Sequence, residues 1–491
     1  MCYYLSITGE ANMLLKYLID DCPIEYGQTE ITSLELKASD VKKGSAFFAL
    51  KGNKNDGNDY VSEAISRGAV CIISERPINV RGVACIRVDD ERHALADISA
   101  RFYGNPQKKM RFVGITGTNG KTTTSYMIKS ILETAGCKTG IIGTLGAFVG
   151  DERVVETNMT TPDPPVLFFI LSEMEKRGVT HVVMEVSAHA LALKKTDGIV
   201  FDVACLTNFG RDHLDYFKTS DKYKAAKSLL FEPGKCKNRV ISADDSFGRE
   251  LIARYENDCR SYGINNPADA FAIDEQCSLG GIRFIMNLCD DVINVSCPIA
   301  GRFNVYNAVC ASLACRALGV SNSFIAKGLK NFKDVKGRFN VFGGARQKVV
   351  IDFAHTEDSL KNAIKSLKEC ADGKLVVVFG CGGNRDRGKR PAMGAVAAEN
   401  ADFCVITSDN PRYEKAEDII GDVVSGIKTD NYVAIPDRRE AIRYAVECAG
   451  DNGVILIAGK GGEEYQEING VKLNYSDEDF VKKLIDEKVI K

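Results

Sequence analysis

The sequence predicts an α/β protein built on mostly parallel, wound sheets. Three observations predict it. Short apolar runs of strand length recur along the chain, with helix-compatible stretches between them. One of these runs, Phe112-Val113-Gly114-Ile115, leads into Gly117-Thr118-Asn119-Gly120-Lys121-Thr122-Thr123 and then into a helix-compatible stretch from Thr124 to Thr134. Several runs end in charged or glycine-rich segments, and open α/β sheets bind ligands at the carboxyl ends of their strands. At 491 residues the chain is too long for one core, and roughly two to four domains are expected.

Three blocks follow in order. In residues 1–108, Val70-Cys71-Ile72-Ile73 and Ala84-Cys85-Ile86-Arg87-Val88 read as strands, and Asp59 to Arg67 as a helix ended by Gly68. Tyr103-Gly104-Asn105-Pro106-Gln107 reads as a linker. In residues 109–335, the glycine loop is followed by two buried strands, His181-Val182-Val183-Met184-Glu185-Val186 and Phe201-Asp202-Val203-Ala204-Cys205-Leu206-Thr207, and by a helix over Lys222 to Leu230. In residues 336–491, four strands are expected: Lys348 to Phe353, Leu375 to Phe379, Phe403 to Thr407 and Val454 to Ala458.

Composition narrows the class. The chain is 45% hydrophobic and 26% charged, which is ordinary for a soluble globular protein. A net charge of −2 gives no global pull toward nucleic acid or an anionic membrane. Met1-Cys2-Tyr3-Tyr4 lacks the basic region and apolar core of a signal peptide. No apolar run approaches the ~18 residues that span a bilayer. The 17 cysteines contain no C-x-x-C pair, and the tightest spacings are Cys310/Cys315 and Cys289/Cys297. That reads as free cysteines serving as small hydrophobes in a cytoplasmic protein.

The glycine loop carries the first chemistry. Backbone N–H groups in the turn and the positive end of the helix bind phosphates, Lys121 reaches the outer phosphates, and the Thr122 hydroxyl can hold Mg²⁺. The expected cofactors are therefore ATP and Mg²⁺. A strict phosphate-loop pattern would need glycine at Ile115. Glu185 ends a buried strand, where a carboxylate is costly without a cation or hydrogen bonds, so it is either a Mg²⁺ ligand or a solvated strand end. His213, in Asp212-His213-Leu214-Asp215, reads as a ligand of a second metal, a phosphate contact or a surface histidine.

Three polar clusters close the third block: Gly382 to Arg390, Ser408 to Arg412 and Gly459 to Tyr465. Arginine forks suit carboxylates, and a neighbouring Glu can anchor an ammonium group. Together they have what an amino-acid pocket needs. A solvated charged loop accounts equally well for any one of them alone.

Taken together, these segments resemble the Mur ligases of peptidoglycan synthesis, and within them the diaminopimelate-adding type. The resemblance covers nearly the whole chain. It runs through Gly117–Thr122, Thr160-Thr161-Pro162-Asp163, Glu185-Val186-Ser187, Thr207-Asn208, Asp212–Asp215 and Ala225-Ala226-Lys227. It continues through Gly301–Asn307, Phe379–Gly383, Asp409-Asn410-Pro411-Arg412 and Asn474-Tyr475-Ser476-Asp477. It implies three domains: a small α/β N-terminal domain over 1–108 that binds the UDP-sugar donor, a phosphate-loop ATPase domain over 109–335, and a Rossmann-like domain over 336–491 that binds the incoming amino acid.

The resemblance also implies a reaction: ATP phosphorylates the carboxylate of a UDP-MurNAc-dipeptide, and the amine of meso-diaminopimelate displaces the phosphate. Lys121, Glu185, His213 and Lys227 would be catalytic. Thr122 and Glu185 would hold one Mg²⁺ and His213 would help hold a second, with Lys227 carbamylated to become an anionic ligand. Gly117, Thr118, Asn119, Gly120 and Thr123 would contact the nucleotide phosphates, and Asn304, Asn307, Arg338 and Asp352 would lie around the adenine and ribose. Thr160, Thr161, Ser187 and Lys195 would contact the donor. Arg385, Asp409, Asn410, Arg412, Gly459 and Glu463 would form the acceptor pocket, with Arg412 pairing the second carboxylate that lysine lacks. A monomer is expected.

The chain departs from the family pattern in places. The Asp-Ser-Arg that contacts the uridine diphosphate falls on Lys37-Ala38-Ser39. Ser-Ser-His reads Ser187-Ala188-His189, a sugar-site Arg falls on Lys195, and Tyr-Ala-His-Thr-Pro-Asp reads Phe353 to Asp358. The His expected after Gly461 is Gly462. The nucleotide machinery is intact while the donor contacts are altered. That leaves open a paralogue with another donor or acceptor, lysine included, or a non-catalytic nucleotide-binding regulator.

Overall fold

A computed structural model describes residues 12–490 except 53, 54, 158, 257, 345 and 372. The Met1–Tyr4 reading lies outside the described residues.

The N-terminal strands Ser33–Glu35, Ser45–Phe48, Cys71–Ser74 and Ala84–Arg87 form an all-parallel sheet in that order. The helix expected from Asp59 begins as a 3-10 turn, Gly57–Tyr60, and becomes α-helical at Val61. The Asp56 side chain, accepting the Asn58 N–H, starts that turn. The helix ends at Gly68, whose φ of 110° only glycine adopts easily.

The central sheet has 11 strands among the described residues. Arg111–Thr116 lies in its parallel middle, flanked by His181–Glu185 on one side and Phe201–Leu206 on the other. All three are apolar through their middles and almost wholly buried, as a parallel sheet covered by helices requires. Their carboxyl ends therefore meet at one place. The helix after the loop, Lys121–Thr134, starts three residues earlier than its apolar pattern suggests, because Gly120 is its cap. It packs Met127, Ile128, Ile131 and Leu132 into a core shared with the helix Phe303–Ala317.

The sheet also extends beyond the sequence reading. Gly146–Val149 and Glu152–Val155 add antiparallel at one edge, and Gly281–Leu288 and Asp291–Cys297 add antiparallel at the other.

The C-terminal sheet runs Asn340–Phe342, Lys348–Asp352, Val454–Ala458, Leu375–Phe379, Phe403–Ile406, Tyr432–Ala434, parallel except for its first strand. Helices on both faces cover it with two separate apolar cores. A hairpin, Tyr465–Ile468 and Val471–Asn474, stands beside its strand ends. Among the described residues every cysteine is free, and no helix is long and apolar enough to cross a membrane.

Candidate active site

The loop after Arg111–Thr116 is gripped by the chain that follows Phe201–Leu206. Thr207 Oγ1 donates to Asn119 O at 2.6 Å, and Asn208 accepts the Thr118 N–H on its backbone oxygen and the Asn119 N–H on its side-chain oxygen, both at 2.9 Å. Gly117 has φ 151°, and a Cβ there would lie 1.8 Å from Thr207 Oγ1. Gly120 has φ 82°, and a Cβ there would lie 2.5 Å from Asn307 Oδ1. Both glycines are thus required by close approach. Lys121 folds back over the loop and donates to Gly117 O and Thr118 O, both at 2.9 Å. Thr122 and Thr123 are buried in the first turn, where backbone N–H groups lack intrahelical partners.

Glu185 is 1% exposed. Thr144, which the sequence reading missed, satisfies it twice, through N–H to Oε1 and Oγ1 to Oε2, each at 3.0 Å. Thr160 Oγ1 lies 3.2 Å from Thr144 Oγ1. Thr161 Oγ1 donates to Glu185 O and accepts the Ser187 N–H, both at 3.0 Å. Lys195 pairs with Asp163 at 2.8 Å, and its Nζ lies 3.5 Å from Thr161 O. The four expected donor contacts, Thr160, Thr161, Ser187 and Lys195, therefore line one wall with Glu185.

His213 opens the short helix Leu214–Phe217 from a left-handed conformation, φ 55°, a strained state that collects at functional sites. Its Nε2 lies 3.4 Å from Asp212 Oδ2, and its ring meets His189 edge-on at 4.9 Å. Burial drives its pKa down to about 4 against the pull of Asp212, so the imidazole is neutral at pH 7 and available as a donor. Burial opposes ionisation of Asp212, but the hydrogen bond and charge of His355, with His213 and Lys389, hold its carboxyl well below the usual range. Lys227 is 1% exposed, lies 4.5 Å over the Tyr223 ring and has no salt bridge among the described residues. Burial first, then Lys121, pushes its ammonium far below the ordinary lysine range, with Asp212 and Asp245 opposing. Burial also lowers Lys121, with Glu185 and Asp212 pulling it back up.

These donors fit a magnesium ion. A carboxylate and a hydroxyl beside a phosphate loop are hard oxygen ligands, and phosphate oxygens and water complete the shell. Among the described residues no three His, Cys, Asp or Glu side chains form a metal cluster, so much of any coordination must come from those other oxygens.

Asn304 and Asn307 are buried at the start of Phe303–Ala317. Asn307 Nδ2 donates to Asn304 Oδ1 at 2.8 Å, and Asn307 Oδ1 accepts from Thr124 Oγ1 at 3.2 Å. Arg338 comes from the C-terminal unit to the phosphate loop, where its Nη2 donates to Thr122 Oγ1 at 3.1 Å and its guanidinium lies 4.3 Å over Phe353. Among the described residues its buried Nε has no hydrogen-bond partner. Both oxygens of Asp352 accept backbone N–H groups, from Phe339 and Ala354, at 2.8 Å. His355 to Asp212 at 3.8 Å and Arg211 to Asp386 at 3.9 Å also join the two units.

The second cluster forms at the ends of Phe403–Ile406 and Val454–Ala458. Asn410, 2% exposed, donates to Glu463 Oε2 at 2.8 Å. Lys460, fully buried, donates to Asn410 Oδ1 at 3.0 Å and pairs with Glu463 at 3.1 Å. Arg412 Nη1 donates to Gly383 O at 2.8 Å. Buried Asp409 accepts the Asn410 N–H at 2.7 Å, and a Cβ on Gly459 would lie 2.8 Å from Asp409 Oδ2. Arg385 is exposed on the facing loop, its Cγ 3.7 Å from where a Cβ on Gly382 would stand. Arg390, from the same arginine-rich segment, is spent internally on Glu414 and Asp422. The expected acceptor residues thus converge. Lys460 was visible only as part of the Gly459–Tyr465 cluster.

The departures also have places. Lys37 and Ser39 are exposed around a 3-10 turn, Ala38–Asp40, with Ala38 buried, and Arg67 Nη1 donates to Ser39 O at 3.4 Å. At Gly462 a Cβ would meet Lys336 O at 3.0 Å and Lys336 Cγ at 3.1 Å, so Lys336 fills the space of a larger residue there.

Three family descriptions match the chain: "Mur ligase family, catalytic domain" over 30–103, "Mur ligase middle domain" over 115–315 and "Mur ligase, glutamate ligase domain" over 337–461. A UDP-N-acetylmuramoyl-L-alanyl-D-glutamate–2,6-diaminopimelate ligase of Caldanaerobacter subterraneus subsp. tengcongensis is 43% identical over 90% of this chain and 92% of its own. A Clostridium acetobutylicum protein of the same description is 39% identical over 97% of this chain and 100% of its own. A solved structure with that description superposes with a TM-score of 0.70 at 30% identity, covering 98% of this chain and 100% of the other. Folylpolyglutamate synthase of Mycobacterium tuberculosis, solved with ADP and AMPPCP, shares the fold at a TM-score of 0.63 and 19% identity, covering 75% of this chain and 92% of its own.

Proposed function

The chain belongs to the Mur ligase family, and from that premise we propose that it is an ATP-dependent ligase joining meso-diaminopimelate to UDP-MurNAc-L-Ala-D-Glu. Residues 109–335 bind ATP, 336–491 the amino acid and 1–108 the nucleotide end of the donor. The reading is that of a monomeric, cytoplasmic enzyme. The observation that carries the acceptor assignment is the pairing of opposite charges at the C-terminal strand ends: Arg412 for a carboxylate, and Glu463, fixed by Lys460 and Asn410, for an ammonium group.

The reaction begins when a donor carboxylate oxygen attacks the γ-phosphorus of ATP and ADP leaves. Charge neutralisation and alignment do most of this work. Lys121, held at the rim of the loop, bears on the transferring phosphoryl group. Arg338, expected from the resemblance around the adenine and ribose, donates to Thr122 at the start of the phosphate-loop helix, and from there it would also bring a second cation toward the phosphates. Thr122 and Glu185 would hold one Mg²⁺ and His213 would help hold a second, and the ions when bound would add further neutralisation at the phosphates. The acceptor amine then attacks the acyl carbon, phosphate departs and the amine loses a proton. Burial and the neighbouring Lys121 favour the uncharged amine of Lys227, the form that is a nucleophile for CO₂, and carbamylation would turn it into an anionic oxygen ligand.

A second reading keeps the chemistry and changes the donor. Lys37-Ala38-Ser39, with Lys37 and Ser39 exposed, favours it. Phosphate release with UDP-MurNAc-L-Ala-D-Glu, offering diaminopimelate and lysine in turn, separates the readings. Turnover with diaminopimelate supports the main proposal. Turnover with lysine alone overturns the acceptor, and silence with both overturns the donor–acceptor pair.

A further inference from the structure

Arg412 sits in a left-handed backbone conformation, φ 54°, beside the Tyr465–Asn474 hairpin. The hairpin holds that backbone on both sides: the Arg412 N–H donates to Glu467 O at 3.0 Å, and Asn469 N–H donates to Arg412 O at 2.6 Å. The same hairpin fixes the neighbouring pocket residues. Gln466 Nε2 donates to Asp409 O and Glu467 N–H to Asn410 Oδ1, each at 2.9 Å. The Glu467 carboxylate then reaches the guanidinium itself, with Oε2 lying 3.3 Å from Arg412 Nε. The two side chains are 19% and 22% exposed, so the pair is largely shielded from water. On the other side of the fork, Nη1 is tied to Gly383 O.

Among the described residues, the edge between Nη1 and Nη2 is left for a ligand, and that edge takes a carboxylate in bidentate fashion. An arginine side chain is flexible, and fixing it before binding removes an entropy cost that each binding event would otherwise carry.

We propose that Glu467 is a positioning residue for acceptor recognition. It holds Arg412 by its Nε side and presents the Nη1–Nη2 edge to the distal carboxylate of the amino acid. This rests on Arg412 being the acceptor contact. A second anion so close to a carboxylate site has an opposite effect too: Glu467 repels the ligand it helps to orient. If neutralisation outweighed positioning, removing Glu467 would tighten acceptor binding. The two effects therefore predict opposite signs.

The test uses the full chain with Glu467→Ala, Glu467→Gln and Glu467→Asp. It reads KM for diaminopimelate, KM for ATP and kcat, together with a crystal structure of unliganded Glu467→Ala. In Glu467→Ala we expect KM for diaminopimelate to rise roughly tenfold, KM for ATP to be unchanged, and kcat to stay within about twofold. Glu467→Gln gives a smaller rise because it keeps a polar oxygen of the same reach beside Nε. Glu467→Asp recovers part of the loss. In the crystal, Arg412 leaves Gly383 O. An unchanged or lowered KM for diaminopimelate overturns the proposal, as does an Arg412 that stays on Gly383 O in Glu467→Ala. Absence of wild-type turnover with diaminopimelate instead overturns the acceptor assignment or the donor–acceptor pair, and the crystal structure then decides the positioning claim alone.

Discussion

Lys227 and Lys460 are both sealed from solvent, at 1% and 0% exposure, and the two regions that hold them treat their charge in opposite ways. Lys460 has a carboxylate at 3.1 Å and an amide oxygen at 3.0 Å. Lys227 has an aromatic ring at 4.5 Å and another amine, Lys121, pressing on it. The same contrast holds around them. In the acceptor pocket Arg412 faces Glu467, and behind it buried Arg390 faces Glu414 and Asp422. In the phosphate-loop site, among the described residues, Lys121 donates its hydrogen bonds to backbone carbonyls and pairs with no carboxylate within salt-bridge distance, and Arg338 keeps a buried Nε without a hydrogen-bond partner. Leaving a buried cation uncompensated is costly. The central site is thus suited to ligands that bring negative charge. The acceptor pocket has its charges balanced beforehand and uses them for geometry.

The contrast breaks most visibly at Lys121. Lys121→Ala should lower phosphate release by about 10³-fold or more. A variant retaining a tenth of wild-type turnover would show that the phosphates lie elsewhere. Next in size is Arg412→Ala. It removes the partner of the distal carboxylate and should lower kcat/KM for diaminopimelate by about 30- to 1000-fold, equivalent to about 2–4 kcal/mol, with KM for ATP within twofold. Equal losses for both substrates would merge the two regions into one.

The smallest effect is a pH dependence. The folded pKa of His213, about 4, lies below its ordinary value of 6.5, so the unfolded chain binds more protons between those pH values. Stability is therefore lost as pH falls from 6.5 toward 4 and is fully present above 6.5. With a half-exposed side chain the contribution is about 1 kcal/mol after solvent screening. Urea unfolding of wild type and His213→Gln at pH 4.5 and 7 should show a shallower loss in the variant. Parallel losses would mean that His213 is not desolvated.

The sequence made the parallel strands of the two larger sheets legible because each is built on a short apolar run that is buried. Phe201–Leu206, Leu375–Phe379 and Val454–Ala458 fall within a residue of the expected bounds. The antiparallel extensions were not legible. Gly281–Leu288 buries Ile282, Phe284, Met286 and Leu288 on one face, but Ile285 interrupts the alternation that would reveal it. The helix start was missed because Lys121 to Thr123 carry loop chemistry in a helical turn. At the site, residues that touch ligand were readable by type and position. Their supports, Thr144 under Glu185 and Glu467 behind Arg412, were not, because they lie 41 and 55 residues away along the chain and meet their partners only through strand order and a hairpin.

Urea unfolding of Lys227→Met and Lys460→Met at pH 7, side by side, tests the contrast most directly. Methionine has a similar volume, so loss of the amine is the main change. Lys460→Met leaves Glu463 without its cation and should lower stability by about 2 kcal/mol, with partial exposure of Glu463 already discounted. Lys227→Met removes an amine that has no salt bridge among the described residues and should change stability by less than about 1 kcal/mol while abolishing turnover. Equal destabilisation of the two variants would contradict the account.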